Sequence, residues 1–332
     1  MVQTVNRKVW IDWMKAIGML TIIWGHCFPE GMSAFIYAFN VPVFFLISGY
    51  LSHQESSMKV CFNKMLHNLI IPYFILAVIK AAGYIFAHLS DGQWLWSLLA
   101  IISGFHSLHD AYGCSNLWFV YTLILIKFIY QLFPNRRLLL SCICLAGAIV
   151  YNQYESDLAW SVVNVMLTLP FFMLGNYLAT GKYFETIISR LQSVNWSLWT
   201  LLLVICIAAT YFIGYENDSA KLYEGHYGNS FPLFIIGALT GSAIVFLLSV
   251  RLNSFDSKIV RISSVGSIVT LVFHRELLHP LIKLIEESDI DIVSANVALF
   301  LSSVLVLLAF VPIIMIVKRI FPIVLGRRAK TI

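Results

Sequence analysis

From about residue 9 onward the chain alternates between long apolar runs and short polar connections. The runs approach about 20 residues, the length at which an α-helix crosses a hydrocarbon core. They predict helices over roughly 9–28, 34–52, 66–88, 116–133, 138–151, 160–179, 196–215, 231–250, 266–284 and 294–318. The stretch 93–105 (QWLWSLLAIISGF) is apolar but too short to span, which fits an interfacial or re-entrant segment. The pattern is that of an all-α polytopic membrane protein with about ten transmembrane helices. No segment is long and polar enough to form a separate soluble domain, so residues 1–332 read as a single membrane domain. The first run carries Asp12 and Lys15 and shows no small-residue cleavage site after Phe28. It therefore reads as a retained helix rather than a signal peptide.

The polar connections alternate in Lys and Arg content. One set holds Arg7, Lys8, Lys59, Lys64, Arg136, Arg137, Lys182, Arg190, Arg251, Lys258 and Arg261, and continues into the tail after Lys318 and Arg319. The other set holds Lys221 alone among basic residues and collects the acids, including Glu30, Asp91, Asp110, Glu155, Asp157, Glu224 and Asp291. By the positive-inside rule both termini are cytoplasmic and the number of spans is even. Composition agrees: 59% of residues are hydrophobic and only 12% charged, against about 25% charged in a soluble domain. The net charge of +5 is dispersed over short loops, so it marks topology and not a nucleic-acid surface. The six cysteines show no metal-ligand spacing. Cys27 and Cys114 fall on the same outer side and are the one conceivable pair, but small apolar filling is the favoured reading for all six.

Polar groups inside the spans are the candidates for function, because each costs at least a few kcal/mol in hydrocarbon. In the first helix the 11-residue step from Lys15 to His26 returns to within about 20° of the same face, about 16 Å further along the axis. Asp12 lies roughly 40–60° off that line. This stripe is either functional or a set of snorkelling anchors with a terminal cap. The second span places Asn40, Pro42, Ser48 and Gly49 in an apolar context, and Pro42 predicts a kink. The ninth carries His274, Arg275, Glu276 and His279. Arg275 and His279 share a face while His274 points about 100° away, which fits a cavity lining better than a lipid face. Lys80 and Lys127 stand isolated in spans. His106, His109 and Asp110 follow no metal motif, and no metal is expected.

Taken in order, WIDWMKAIGMLTIIWGH at 10–26, FNVPVFFLISGYL at 39–51, LIIPYF at 69–74 and LWFVYTL at 117–123 resemble the acyltransferase-3 family of integral membrane acyltransferases. The closest resemblance is to the branch of fucose 4-O-acetylases and exopolysaccharide O-acyltransferases. It is strongest over 10–75. It implies that His26 is catalytic and that Lys15 takes the place of the family's usual Arg, with ten residues between the two. It also implies donor or substrate roles for Asn40, Lys64, Trp118 and His274, with Asp12, Arg275 and Glu276 as further candidates. The chain departs from the family before Pro72, where His67 and Asn68 stand at positions usually held by Arg and only Lys64 keeps a basic residue.

The resemblance implies transfer of an acyl group, most often acetyl, from acetyl-CoA or succinyl-CoA to a hydroxyl of a sugar or lipid-linked glycan. It implies no bound cofactor, and a bacterial inner membrane as the location. The expected partners are membrane lipid, acyl-CoA and a glycan acceptor, with no nucleic acid. A hydroxyl needs a base within hydrogen-bond reach, and a histidine suits that role. Lys15, Asn40 or Arg275 would stabilise the oxyanion or bind donor phosphate. Direct attack and an acyl-His26 intermediate both fit. The rival class is a transporter or flippase of a glycan or lipid intermediate, whose signature would be paired repeats with broken helices. Only the second span is visibly broken.

Overall fold

A computed structural model describes residues 7–151 and 161–331, and the described residues are helical with no strand. In chain order the α-helices are α1 (Val9–Gly25), α2 (Ser33–Tyr37), α3 (Pro42–Tyr50), α4 (Met58–Met65), α5 (Ile71–Ala87), α6 (Trp94–Ser103), α7 (His106–Ala111) and α8 (Trp118–Leu132). They continue with α9 (Arg137–Tyr151), α10 (Val162–Thr180), α11 (Lys182–Ser193), α12 (Trp196–Asn217), α13 (Phe231–Arg251), α14 (Lys258–Val265), α15 (Ser267–Glu286) and α16 (Ile292–Ile320). The start of the sixth predicted span at residue 160, with Glu155 and Asp157, lies outside the described residues.

Six helical stretches are long and apolar enough to cross a membrane: Ser33–Tyr50, Met58–Ala87, Val162–Thr180, Trp196–Asn217, Phe231–Ser254 and Ile292–Ile320. The other four predicted spans coincide with α1, α8, α9 and α15. Of these, α1, α8 and α9 are short and α15 is interrupted by charge. The apolar stretch 93–105 becomes the ten-residue α6.

Two spans differ in detail from their sequence pattern. The second stays one helical stretch, Ser33–Tyr50, whose regular winding is interrupted just before Pro42. Pro42 occupies the first turn of α3, where its missing N–H costs nothing, and the chain turns through Ala38–Val41 after α2. The third continues backward without interruption through a π-helical turn, Leu66–Ile70, into α4. π-turns inside helices recur at functional sites.

Helix α1 is the hub, packed against α2, α3, α13, α14, α15 and α16. Next to it α3 lies against α10 at glycine contact distance. A Cβ on Gly49 would stand 1.8 Å from the Phe172 carbonyl oxygen, and one on Gly175 would stand 2.0 Å from that of Leu46. Without a hydrophobic driving force in lipid, such backbone approach through small residues is what holds helices together. Asn176 of α10 then donates to the carbonyls of Gly49 (3.3 Å) and Ser52 (2.5 Å), which closes the end of α3. The outermost helix, α12, is largely exposed along its length and docks on α13 and α2. All six cysteines are free thiols, and Cys27 and Cys114 are each buried.

Candidate functional site

The polar stripe of α1 ends in two different environments. At its N-terminal end the charges are paired. Arg7 donates to Asp12 at 2.6 Å and also meets Asp256 at 3.0 Å. Lys8 pairs with Glu185 of α11 and Tyr50 of α3. The hydrogen bond from Lys8 holds the Glu185 carboxyl below the usual carboxylate range. Asp12 is therefore committed to Arg7 and ties α1 to the segment after α13.

One turn further, Lys15 faces a cavity of about 430 Å³. Lys64, Lys127, His53, Asn68 and Gln131 give part of its lining a polar and mainly basic character, and Glu55 adds an acid. Lys64 is paired with Glu55 at 2.5 Å, and Lys127 donates to Ser52 at 2.9 Å. The rest of the lining is largely apolar: Met19 and Ile22 from α1, Phe44 and Ile47 from α3, Phe119 and Leu123 from α8, and Leu271 from α15. Val324 and Leu325, just beyond α16, close one side, both 3% exposed. Asn68 thus reaches the cavity, whereas His67 is exposed and bonded to the Asn63 carbonyl at 2.8 Å.

Ile22 and Leu271 line the cavity, and the carbonyls of these two residues hold the two histidines. The His26 Nδ1 lies 2.8 Å from the Ile22 oxygen. The His274 Nδ1 lies 2.9 Å from the Leu271 oxygen and 3.1 Å from that of Thr270. A carbonyl only accepts, so each Nδ1 carries a proton, and in the neutral ring Nε2 keeps the lone pair. The rings meet edge to face, with centroids 4.7 Å apart. His274 is fully buried and its Nε2 has no hydrogen-bond partner, while His26 is partly exposed. Of the two rings, His26 is thus the more accessible.

Two asparagines complete the surroundings. Asn40, 2% exposed at the interruption before α3, packs its amide against Gly25, and its Oδ1 is unpartnered. Asn116, 7% exposed in the turn before α8, reaches His26 with its amide, and its Nδ2 is unpartnered. Arg275 is partly buried and acts electrostatically on His26 and on Tyr37.

The structure thus brings together His26, His274, Asn40 and Arg275 at one end, and Lys15 and Lys64 at the other. It holds three predicted residues apart. Asp12 is in the Arg7 pair. Glu276 is exposed and pairs with Lys80 of α5, which accounts for that otherwise isolated lysine. Trp118 lies outside the cavity lining, and its ring meets that of Phe119, which itself packs on Phe45 at 4.8 Å. Asn116 is the residue that sequence reading passed over. Its sequence neighbourhood, SNLWF, drew attention only to the tryptophan.

Against known proteins, residues 8–318 match the model of a family described as an acyltransferase domain. No curated protein and no solved structure matches the chain.

Proposed function

The chain belongs to this acyltransferase family, and from that premise we propose that it is a membrane O-acyltransferase that moves an acyl group, acetyl or succinyl, from a coenzyme A thioester to a hydroxyl of a sugar or glycan. The observation that carries this reading is the cavity along α1, lined by Lys15, Lys64 and Lys127 and also by Ile22 and Leu271, whose carbonyls accept from the two histidines. Its volume of about 430 Å³ lies within the range of small-molecule sites, roughly 300–1,000 Å³. Phosphates of the donor suit Lys15, Lys64 and Lys127, and the thioester suits the apolar lining. His26 Nε2 then takes the proton of the acceptor hydroxyl as its oxygen attacks the thioester carbonyl. The reading includes ten spans, both termini in the cytoplasm and a bacterial inner membrane, with the donor entering from the cytoplasmic, lysine side.

The test is transfer of radiolabelled acetyl from acetyl-CoA, and in parallel succinyl from succinyl-CoA, to membrane glycans. Label in wild type and none in His26→Ala is the expected result. Equal label in both removes His26 as the base. Label in neither, with both donors, returns the transporter reading.

A further inference from the structure

The acyl transfer proposed above builds negative charge on the thioester oxygen, and a donor must meet that charge. Buried polar atoms in native proteins nearly always have partners, so a cluster of unpartnered ones marks where a ligand supplies them. Four such atoms lie on the residues around the histidines: Asn40 Oδ1, Asn116 Nδ2, Thr270 Oγ1 and His274 Nε2. Asn40 Oδ1 is an acceptor. His274 Nε2 is also an acceptor, because its ring proton sits on Nδ1 against two carbonyls. Neither meets an oxyanion favourably. The Thr270 hydroxyl can donate or accept, so it is committed to neither role. Asn116 Nδ2 is the obligate donor of the four. Trp24 Nε1 is another unpartnered donor, but it points about 200° away from His26 around α1 and its ring packs on Phe300 of α16 at 5.2 Å.

The backbone holds Asn116 in place. Cys114 and Leu117, two residues before it and one after, are fully buried. The Cys114 N–H donates to the His109 carbonyl at 2.8 Å. Asn116 itself sits at φ +71°, a left-handed conformation that few residues besides Gly and Asn tolerate. Such strain is retained where the surroundings over-determine it, and it clusters at functional sites.

We propose that the Asn116 side-chain amide is the oxyanion donor of the transfer reaction, its Nδ2 hydrogen-bonding the thioester carbonyl oxygen as that oxygen becomes negative. The proposal rests on the acyltransferase reading with His26 as base. The acceptor O–H gives its proton to His26 Nε2 while its oxygen bonds the carbonyl carbon. The carbonyl π pair moves to the oxygen facing Asn116. Collapse restores the carbonyl and breaks the C–S bond, and the thiolate of coenzyme A takes the proton from His26. The products are the acylated hydroxyl and free coenzyme A.

The experiment compares wild type, His26→Ala, Asn116→Gly and Asn116→Asp in steady-state transfer, alongside coenzyme A binding to each purified protein. Glycine accepts the left-handed backbone and removes the amide. Aspartate keeps the shape and removes the donor. We expect kcat to fall about 10²–10³-fold in both Asn116 variants, the cost of one oxyanion donor, with coenzyme A affinity and acceptor KM unchanged. A kcat within about threefold of wild type in Asn116→Gly overturns the proposal, since the donor then lies elsewhere. A loss confined to acceptor KM also overturns it and makes Asn116 a binding residue. If Asn116→Gly fails to fold, Asn116→Asp decides by the same criteria. Full activity in His26→Ala is a different failure, because it removes the base while leaving the amide's contribution to be measured.

Discussion

The two ends of α1 differ in how their polar groups are satisfied. At the lysine end Arg7, Lys8 and Lys64 each have a carboxylate partner within the chain, and Arg7 Nη2 is the one atom of these three side chains left buried without a hydrogen bond. At the histidine end the side chains are more deeply buried, yet Asn40, Asn116 and His274 each leave one polar atom without a partner. Burying an unpartnered polar group costs about 1–3 kcal/mol by protein mutational data. A fold accepts that cost where function requires it. The contrast separates groups that build the entrance from groups held ready for a reacting molecule.

The sharpest way to break this contrast is at His26. His26→Ala should lower transfer about 10²–10⁴-fold, the usual contribution of a positioned base, with the fold intact by thermal unfolding in detergent. The next effect is at the other end. Lys15→Ala should raise the KM for acyl-CoA about 10–100-fold, as expected on losing one charged hydrogen bond of about 1.5–3 kcal/mol, while kcat at saturating donor is kept. A kcat loss there would mean that the two ends are not separate. Gly49→Ala strikes the scaffold that both ends share. Its Cβ has no room against Phe172, and overpacking costs about 1–3 kcal/mol. Midpoint temperature and both kinetic constants should suffer together. The smallest effect belongs to Glu185→Gln, which breaks an exposed pair with Lys8 worth less than about 1 kcal/mol. Because the Glu185 carboxyl is held below its usual range, its contribution is present at neutral pH and lost as pH falls through that lowered value. Stability measured against pH in wild type and variant should converge in acid.

Sequence made the helices legible because apolar run length is a local property. The expected span at 196–215 is observed as Trp196–Asn217, and that at 231–250 as Phe231–Arg251. The stripe from Lys15 to His26 was equally legible, since both residues lie on one helix and periodicity fixes their relation. Contacts across helices were not. Glu276 adjoins Arg275 in sequence but pairs with Lys80. The approach of Asn116 to His26 depends on a turn some 90 residues downstream, and no periodicity reports it. The distortion at Pro42 was legible because proline acts locally, on its own helical turn.

The walls of the cavity come from the far ends of the chain, Lys15 at one and Val324 and Leu325 at the other. Gly326, at φ +60°, folds this last wall against Asn68 in the π-turn region. Helices that enter a membrane during synthesis do so from the N-terminus onward. Lys15 and His26 are therefore placed in the bilayer long before the residues that close their cavity leave the ribosome. The pocket comes into being only when synthesis has passed residue 325, and peptide fused directly after that point would bear on its wall.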